Sequence, residues 1–507
     1  MIARFDDAEC TRDARSQNWP IACTGVIDSE ETLEGLHRMV TRLSASDASF
    51  YHLEDTSTPM YVGTLSILRK PRNGLSYESL LATVEQRLPQ IPRYRQKVRE
   101  VTLGLARPVW VDDRDFDITY HIRRSALPSP GSDAQLHELI ARIGSRPLDK
   151  SRPLWEMYLI EGLTRSRIAI YTKSHQALVN GMTALEIGHV VADRTHKPPE
   201  FGEDIWIPAR EPSDRRLLLG AVGEWVTRPA EQFGAVRSAL TEVTTNAGQL
   251  VEVGRRFVDV ARTFARGTAP NSPLNTTVSR NRRFTVAGHR LEDYRLVRAR
   301  YDCDVNDVVL AVVAGALRNW LMSRGEPVTA MTTVRAMAPM SVYPDADLDT
   351  TGPGQAISEV SPFLVDLPVG EGNAVVRLSQ IAHTTESLPT AASLVDARTI
   401  VTLSGFAPPT LHAMGIRVAT SFSARQFNLL ITNVPGAQKQ MFVAGTKLLE
   451  TYAVPPLLNN QVLAIGVTSY NGMLYFGINA DREAMSDVGV LPSLLRESLD
   501  ELLEAAQ

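Results

Sequence analysis

The chain has 507 residues, of which 44% are hydrophobic and 22% are charged, and its formal net charge is −4. This length predicts two domains of ordinary soluble composition, and the small net charge gives no electrostatic reason to expect a nucleic-acid partner. The three cysteines, Cys10, Cys23 and Cys303, form no C-x-x-C pair. They therefore indicate neither a disulfide framework nor a thiolate metal site, and they favour a reducing cytosol.

A membrane-spanning segment is not predicted. The amino terminus, MIARFDDAECTRDARS, alternates charges of both signs and lacks the apolar core of a secretory signal. A transmembrane helix needs about 20 consecutive apolar residues, and the apolar run Val308–Leu317 ends at Arg318. The sequence therefore predicts a cytoplasmic protein whose membrane contact is at most peripheral, on the inner face. The basic amphipathic segment Gln249–Arg266, with Phe257 and Phe264, is the candidate for that contact, and packing on its own domain is the alternative.

Strand-like and helix-like runs alternate over the first 200 residues. The β-branched and apolar runs predict three strands, at Met60–Leu68, Trp155–Glu161 and Ser166–His175. Apolar residues at helical spacing predict two helices, at Glu78–Arg87 and Gln135–Ile143. The pattern after Gly181 is again helical as far as Val190.

A stretch rich in Ala, Val, Arg and Glu separates this region from the rest of the chain. Residues 213–269 are predicted as two helices broken near Pro229. The sequence therefore predicts a mixed α/β protein with an amino-terminal half (1–205), a helical linker (206–270) and a carboxy-terminal half (271–507).

Three features indicate structure in the carboxy-terminal half. Arg282–Ala287 is predicted as a strand, and Val305–Leu321, apolar nearly all round, as a helix buried in a domain core. Asn471-Gly472 separates two alternating apolar runs, Gln461–Tyr470 and Met473–Ala480. It predicts a hairpin, because a type I′ turn needs positive φ at both central residues.

Several standard catalytic motifs are missing from the sequence, namely G-x-S-x-G, G-x-x-x-x-G-K-[ST] and H-E-x-x-H. The ten histidines include no pair at metal-ligand spacing, and the nearest approach is His189 with His196. The remaining candidate is KSHQALVNG, Lys173–Gly181, between a predicted strand and a predicted helix, where active-site residues often gather. The alternative interpretation is a strand end with polar residues and a glycine turn.

Landmark segments appear in a fixed order along the chain: LSASDASFYHLED, TPMYVGTLSIL, PVWVDDRDFDITYHIR, LDKSRPLWEMYLIEGL, KSHQALVNG, VNDVVLAVVAGALRNWL, APMSV, NVPG and SYNG. In this order, from about Leu43 to Leu495, they resemble the bacterial wax ester synthase/diacylglycerol acyltransferase family. The resemblance implies an α/β fold of two chloramphenicol acetyltransferase-like domains with a substrate channel between them.

The family signature is HHxxxDG, and this chain departs from it at two positions. His175 stands at the first histidine, Gln176 at the second and Asn180 at the aspartate, while Gly181 is retained. By resemblance, the second histidine is the general base that takes a proton from the acceptor alcohol, and the aspartate maintains local geometry. Gln176 has no group that is protonated near neutral pH, so it keeps the hydrogen-bonding capacity of that position without its basicity.

His175 is the candidate to replace the missing base. If the strand continues through both positions, His175 and Gln176 point to opposite faces, and His175 faces away from the channel. By resemblance, Trp155, Asn306 and Asp307 line the substrate channel. The alternatives are that Trp155 packs in the core and that Asn306 caps the helix it begins.

The resemblance implies a long-chain acyl-CoA as donor and diacylglycerol or a long-chain alcohol as acceptor, giving triacylglycerol or wax ester. It implies no cofactor and no metal, and acyl-CoA enters as a substrate. The alternative is a catalytically impaired member that acts as a lipid- or acyl-CoA-binding pseudoenzyme. Peripheral contact with a membrane or lipid droplet and the oligomeric state are left open.

Overall fold

The computed structural model describes residues 41–70, 75–101, 106–179, 187–197, 206–218, 269–340, 361–386, 426–434 and 436–506. Its strands are β1 (Thr41–Arg42), β2 (Tyr61–Arg69), β3 (Gln96–Arg99), β4 (Val109–Asp112), β5 (Ile122–Ala126), β6 (Trp155–Leu163), β7 (Arg167–His175), β8 (Ala192–Asp193), β9 (Arg282–Arg290), β10 (Val334–Met340), β11 (Ser361–Leu367), β12 (Leu429–Val434), β13 (Phe442–Val443), β14 (Thr446–Val454), β15 (Leu463–Tyr470) and β16 (Met473–Asp481). Its helices are α1 (Ala45–Leu53), α2 (Tyr77–Arg87), α3 (Ile118–His121), α4 (Asp133–Gly144), α5 (Gln176–Val179), α6 (Ile187–Val190), α7 (Leu291–Tyr301), α8 (Val305–Ser323), α9 (Ala374–Glu386) and α10 (Leu491–Ala506). Most of the predicted linker and the whole amphipathic segment Gln249–Arg266 lie outside the described residues.

The first sheet has seven strands in the order β5-β6-β7-β2-β14-β13-β8. β7 lies between β6 and β2, antiparallel to both, and every residue of β7 is buried. The three strands predicted in this region are confirmed as β2, β6 and β7, and the two predicted helices as α2 and α4. The sheet therefore places the end of a fully buried strand at the start of the HQALVNG segment.

The helix α4 begins where its sequence provides a capping box. The Ser132 hydroxyl accepts from the Gln135 N–H at 3.3 Å, and the Gln135 side-chain oxygen accepts from the Ser132 N–H at 2.7 Å. Two otherwise unpaired backbone donors are satisfied in this way. The helix buries Leu136 and Ile140 and also packs on β9 of the second sheet.

The second sheet has six strands in the order β11-β10-β12-β15-β16-β9. The predicted β15–β16 hairpin is confirmed, and Asn471 and Gly472 have φ of 48° and 79°. The strand predicted at Arg282–Ala287 is confirmed as β9, and the predicted buried helix as α8, which packs on α9 and α10. Within the described residues, α8 is the one helix long and apolar enough to cross a membrane, and most of it is buried in the core.

The strand β14 brings the two sheets together. It lies late in the sequence, yet it pairs with β2 in the first sheet. Gly466 and Gly477 face each other across β15 and β16, and a Cβ on Gly477 would lie 1.8 Å from the carbonyl oxygen of Ala453 in β14. Because no side chain fits at that position, glycine lets the main chain of β14 lie directly on the second sheet.

Candidate active site

The strand β7 ends at His175, and the next four residues form the single helical turn α5. The His175 Nδ1 accepts a hydrogen bond from the Ala177 N–H at 3.0 Å, as a capping side chain does at a helix start. The strand therefore does not continue through Gln176. The prediction that His175 and Gln176 point to opposite faces assumed that it did, so that prediction does not apply. The reason is that His175 itself satisfies the first turn of α5.

The His175 ring is turned toward protein groups. Its side chain is fully buried, and its Nε2 lies 3.7 Å from the Glu54 Oε2. Since Nδ1 accepts from a backbone N–H, the ring proton is on Nε2, on the side of Glu54. His175 has a structural task through Nδ1, which is bonded to the Ala177 N–H, while its buried Nε2 has no hydrogen-bond partner among the described residues.

Glu54 is the centre of a buried polar cluster that the sequence did not indicate. One of its carboxylate oxygens accepts from the Met60 N–H at 3.2 Å, and the other lies 3.1 Å from the Lys150 Nζ. Burial acts to raise the pKa of Glu54, but the facing His175 and Lys150 outweigh it and hold the pKa below its ordinary value. Its one sequence signal is a charged residue directly after α1, within the LSASDASFYHLED segment.

Gln176 is the residue at the general-base position of the motif. Its backbone N–H donates to the Met60 carbonyl at 2.9 Å. Its side-chain Oε1 is buried and has no hydrogen-bond partner among the residues that the structure describes. Buried polar atoms are nearly always paired in proteins, so this oxygen is an acceptor open to a donor that is not part of the described chain.

Lys173 lies two residues before His175 and is fully buried. Its ammonium donates to the carbonyls of Ile143, at 3.4 Å, and Arg146, and lies 4.7 Å from the centre of the Tyr61 ring. These carbonyls are at the carboxyl end of α4, where a cation is favoured by the helix dipole. Burial nevertheless lowers the pKa of Lys173 to about 8.

Trp155 is fully buried at the start of β6, where its register partner is Ser174. Its indole N–H donates to the Tyr94 carbonyl at 2.8 Å, and its ring stacks on His121 at 4.6 Å between centroids. The His121 Nδ1 is 2.8 Å from the Trp155 carbonyl, which can only accept. These contacts are those of a core residue, and contact of Trp155 with substrate stays a prediction.

The landmark residues of α8 have partners in the second sheet and in α9. The N-cap is Asp304, so Asn306 lies within the first turn and does not cap the helix. The Asn306 side-chain oxygen accepts from the Asn433 amide at the end of β12. Asp307 accepts from the Asp304 N–H at 2.9 Å and from the Thr385 hydroxyl at 2.6 Å. Burial raises the pKa of Asp307 despite these hydrogen bonds.

Two predicted site residues, Asn180 and Gly181, lie outside the described residues. The predicted approach of Gln176 to Asn306 stays a prediction, because the contacts described for the two residues involve different partners. The structure does bring Glu54, Lys150, His175 and the Gln176 main chain together, although they come from three separate landmark segments.

Comparison with known proteins gives matches to both parts of the chain. The model of the wax ester synthase/diacylglycerol acyltransferase catalytic domain matches residues 43–309, and that of the WS/DGAT C-terminal domain matches residues 359–503. A Mycobacterium tuberculosis relative named "Probable diacyglycerol O-acyltransferase tgs3" is 76% identical over 266 residues, which cover 52% of this chain and 98% of that protein. A second, named "Probable diacyglycerol O-acyltransferase tgs1", is 30% identical over 92% of this chain and 96% of its own length.

Solved structures give the same result for the fold. The wax ester synthase/diacylglycerol acyltransferase from Marinobacter aquaeolei VT8 is 25% identical and superimposes with a TM-score of 0.65, over 92% of this chain and 99% of that one. A starter condensation domain of rhizomide synthetase, at 12% identity, shares the fold with a TM-score of 0.54 over 94% of this chain and 97% of that one. The predicted two-domain chloramphenicol acetyltransferase-like fold is confirmed. The chain belongs to the wax ester synthase/diacylglycerol acyltransferase family.

Proposed function

We propose that the protein transfers a long-chain acyl group from acyl-CoA to the hydroxyl of a diacylglycerol or a long-chain alcohol. In this reaction an oxygen–carbon bond forms, the thioester carbon–sulfur bond breaks, and the hydroxyl proton ends on the coenzyme A thiol. The observation that carries the proposal is the match of both family domains, over residues 43–309 and 359–503. The comparisons give no support to a purely lipid-binding role.

The task of Gln176 in this reaction is to hold the acceptor. Its unpartnered Oε1 accepts the hydrogen bond of the attacking hydroxyl and so orients the oxygen toward the thioester carbon. It does not take the proton, and a positioned general base typically contributes about 10²–10⁴-fold in rate. We therefore infer that transfer to hydroxyls is slower than in relatives that keep the second histidine.

The proposal is tested by incubating the purified full chain with radiolabelled palmitoyl-CoA and either dioleoylglycerol or hexadecanol, and separating the lipids. We expect labelled triacylglycerol or wax ester above the rate without enzyme. The matched control is Glu161→Gln, which alters only a surface ion pair with Arg124. Tight binding of acyl-CoA without either product would contradict the proposal.

The donor and acceptor are the partners that this function requires. Acyl-CoA is a substrate, and we propose that no metal or other cofactor takes part, so a chelator should leave the rate unchanged. The acceptors are lipids, which favours a cytoplasmic protein in peripheral contact with a membrane. Flotation with anionic liposomes that is the same for wild type and for Phe257→Glu with Phe264→Glu would remove the predicted membrane role of that segment.

A further inference from the structure

The loop Glu54–Met60 connects α1 to β2 and supports the turn that carries Gln176. At one end of the loop, the Glu54 carboxylate binds Lys150 and the Met60 N–H. At the other end, the Met60 carbonyl accepts the Gln176 N–H at 2.9 Å. The Gln176 main chain is therefore tied to Met60, which Glu54 and the adjoining β2–β7 pairing also hold.

The middle of this loop is a turn built on Asp55. The Asp55 Oδ1 accepts from the Ser57 N–H, from the Ser57 hydroxyl at 2.6 Å and from the Thr58 N–H at 3.0 Å. These bonds satisfy the N–H groups of Ser57 and Thr58, and the Ser57 carbonyl accepts from a residue outside the turn. A local turn of this kind fixes the shape of the loop, but it does not fix where the loop lies.

The middle of the loop is held from the second sheet, by Arg282 at the start of β9. Its guanidinium donates to the Ser57 carbonyl, to the Ser279 carbonyl at 2.6 Å and to the Asn281 carbonyl at 3.2 Å, and it lies 4.0 Å from the Asp481 carboxylate. The side chain is only 2% exposed. A buried guanidinium is costly unless its donors are paired, so Arg282 holds this one arrangement.

We propose that Arg282 is a positioning residue for acyl transfer. Its guanidinium donates to the Ser57 carbonyl and so restrains the loop that ends at Met60. The Met60 carbonyl in turn accepts from the Gln176 N–H. Docking of the second sheet on the first thus adds a restraint on the turn that carries Gln176, beyond those from Glu54 and from the β2–β7 pairing. The inference rests on the proposed function for its kinetic consequence, but its structural consequence is independent of turnover.

The kinetic consequence follows from how sensitive transfer is to placement. A displacement of about 1 Å in a positioning element can cost about 10²-fold in rate. We expect binding of acyl-CoA to depend on more contacts than the single turn that Arg282 helps to restrain. Loss of Arg282 should therefore lower kcat by about 10-fold or more while KM for acyl-CoA changes by less than about 3-fold.

The kinetic test compares Arg282→Met and Arg282→Lys with Arg283→Met. Arg283 is the next residue on β9, exposed, and donates to the Ser486 carbonyl at 2.6 Å. We expect Arg282→Met to lose kcat, Arg282→Lys to recover part of it, and Arg283→Met to match wild type. Equal kcat for Arg282→Met and Arg283→Met, with both folded by circular dichroism, would overturn the inference.

Amide hydrogen exchange supplies a readout that does not need turnover. In Arg282→Met, or in Arg282→Lys if the first variant does not fold, the Gln176 amide should exchange faster than in Arg283→Met, because the loop that ends at its acceptor, Met60, has lost one restraint. Faster exchange of the Gln176 amide in a protein that transfers no acyl group would contradict the proposed function and support the positioning role of Arg282. Normal transfer with unchanged exchange in both Arg282 variants would sink the positioning role alone.

Discussion

Two carboxamides stand in the first turns of two helices in this fold, and they differ in one respect. Gln176, at the start of α5, has a buried side-chain oxygen without a partner, whereas the equivalent oxygen of Asn306 in α8 is bonded to Asn433. A polar atom that the chain satisfies itself is explained by folding alone. A buried polar atom that the chain leaves unpaired costs stability, so it is better explained by a ligand. By this difference, we propose that the turn after β7 is the chemical site and that Asn306 at the start of α8 has a structural role in the second domain.

The largest effect is expected from replacing Gln176 with a side chain that can act as a general base. Gln176→His, alone or with Asn180→Asp, should raise transfer to hydroxyl acceptors by up to about 10²–10⁴-fold, because an imidazole can take the proton. The rate should acquire an inflection near the histidine pKa of about 6.5, falling as pH drops below it. The measurement is kcat against pH with dioleoylglycerol.

The matched control for this variant is Gln176→Met, which keeps a similar volume and removes the amide. It should gain no activity and show no inflection near neutral pH. Family-like turnover by wild type that His175→Ala abolishes would contradict the assignment, since it would make the buried His175 ring the base. A Gln176→His protein that binds acyl-CoA and stays inactive would place the defect elsewhere in the channel.

On the other side of the comparison, Asp307 should matter for stability and not for chemistry. Asp307→Ala removes the acceptor for the Asp304 N–H and one partner of Thr385, and should lower the free energy of unfolding by about 1–3 kcal/mol. Urea denaturation measures this loss, with the exposed Glu497→Ala on α10 as the control. A loss of activity in Asp307→Ala at unchanged stability would instead support the predicted place of Asp307 in the substrate channel.

The pH dependence of the free energy of unfolding tests whether burial of the Lys173 ammonium in β7 destabilises the folded chain. The pKa of Lys173 is lowered to about 8 in the folded chain, whereas a lysine in the unfolded chain titrates near 10.4. Between these values the unfolded state binds more protons, so stability rises with pH; below about pH 8 the cost of the buried charge is fully present.

Lys173→Met should lack that rise. The difference from wild type should approach about 1.4 kcal/mol per pH unit within the window. Urea unfolding of both proteins from about pH 7.5 to about pH 10.5 measures it, because this range spans the folded and unfolded pKa values of the lysine. Lys447→Met, exposed on β14, is the control and should follow wild type. Parallel curves for Lys173→Met and wild type would show that the ammonium keeps its ordinary pKa.

What the sequence predicted well is local. The β15–β16 hairpin follows from Asn471-Gly472, α8 from a continuous apolar run, and β7 from its apolar composition, and each depends on residues within one element. The pairing of β14 with β2 was not predictable in this way, because a pairing across nearly 400 residues leaves no periodic signal in either strand.

The candidate site shows the same division. The resemblance located KSHQALVNG, but the end of β7 one residue before Gln176 depends on a side chain, His175, bonding the Ala177 N–H. Glu54 escaped prediction because its partners, Lys150 and His175, are about 100 residues away in sequence and meet it only in the fold. Local patterns therefore indicated the candidate segment, and tertiary contacts decide which of its side-chain atoms are already hydrogen-bonded.

The smallest expected effects come from removing the two carboxamides one at a time. These variants test the comparison of Gln176 with Asn306 most directly. Asn306→Leu leaves the Asn433 amide without its acceptor, and should lower the free energy of unfolding by about 0.5–1.5 kcal/mol. Gln176→Met removes a buried oxygen that has no partner among the described residues, so its free energy of unfolding should equal or exceed that of wild type while transfer activity falls. Urea denaturation and the acyl-transfer assay measure the two quantities on the same preparations. If Gln176→Met is destabilised as much as Asn306→Leu, the Gln176 amide is bonded within the chain, and the distinction between a chemical site and a structural joint is lost.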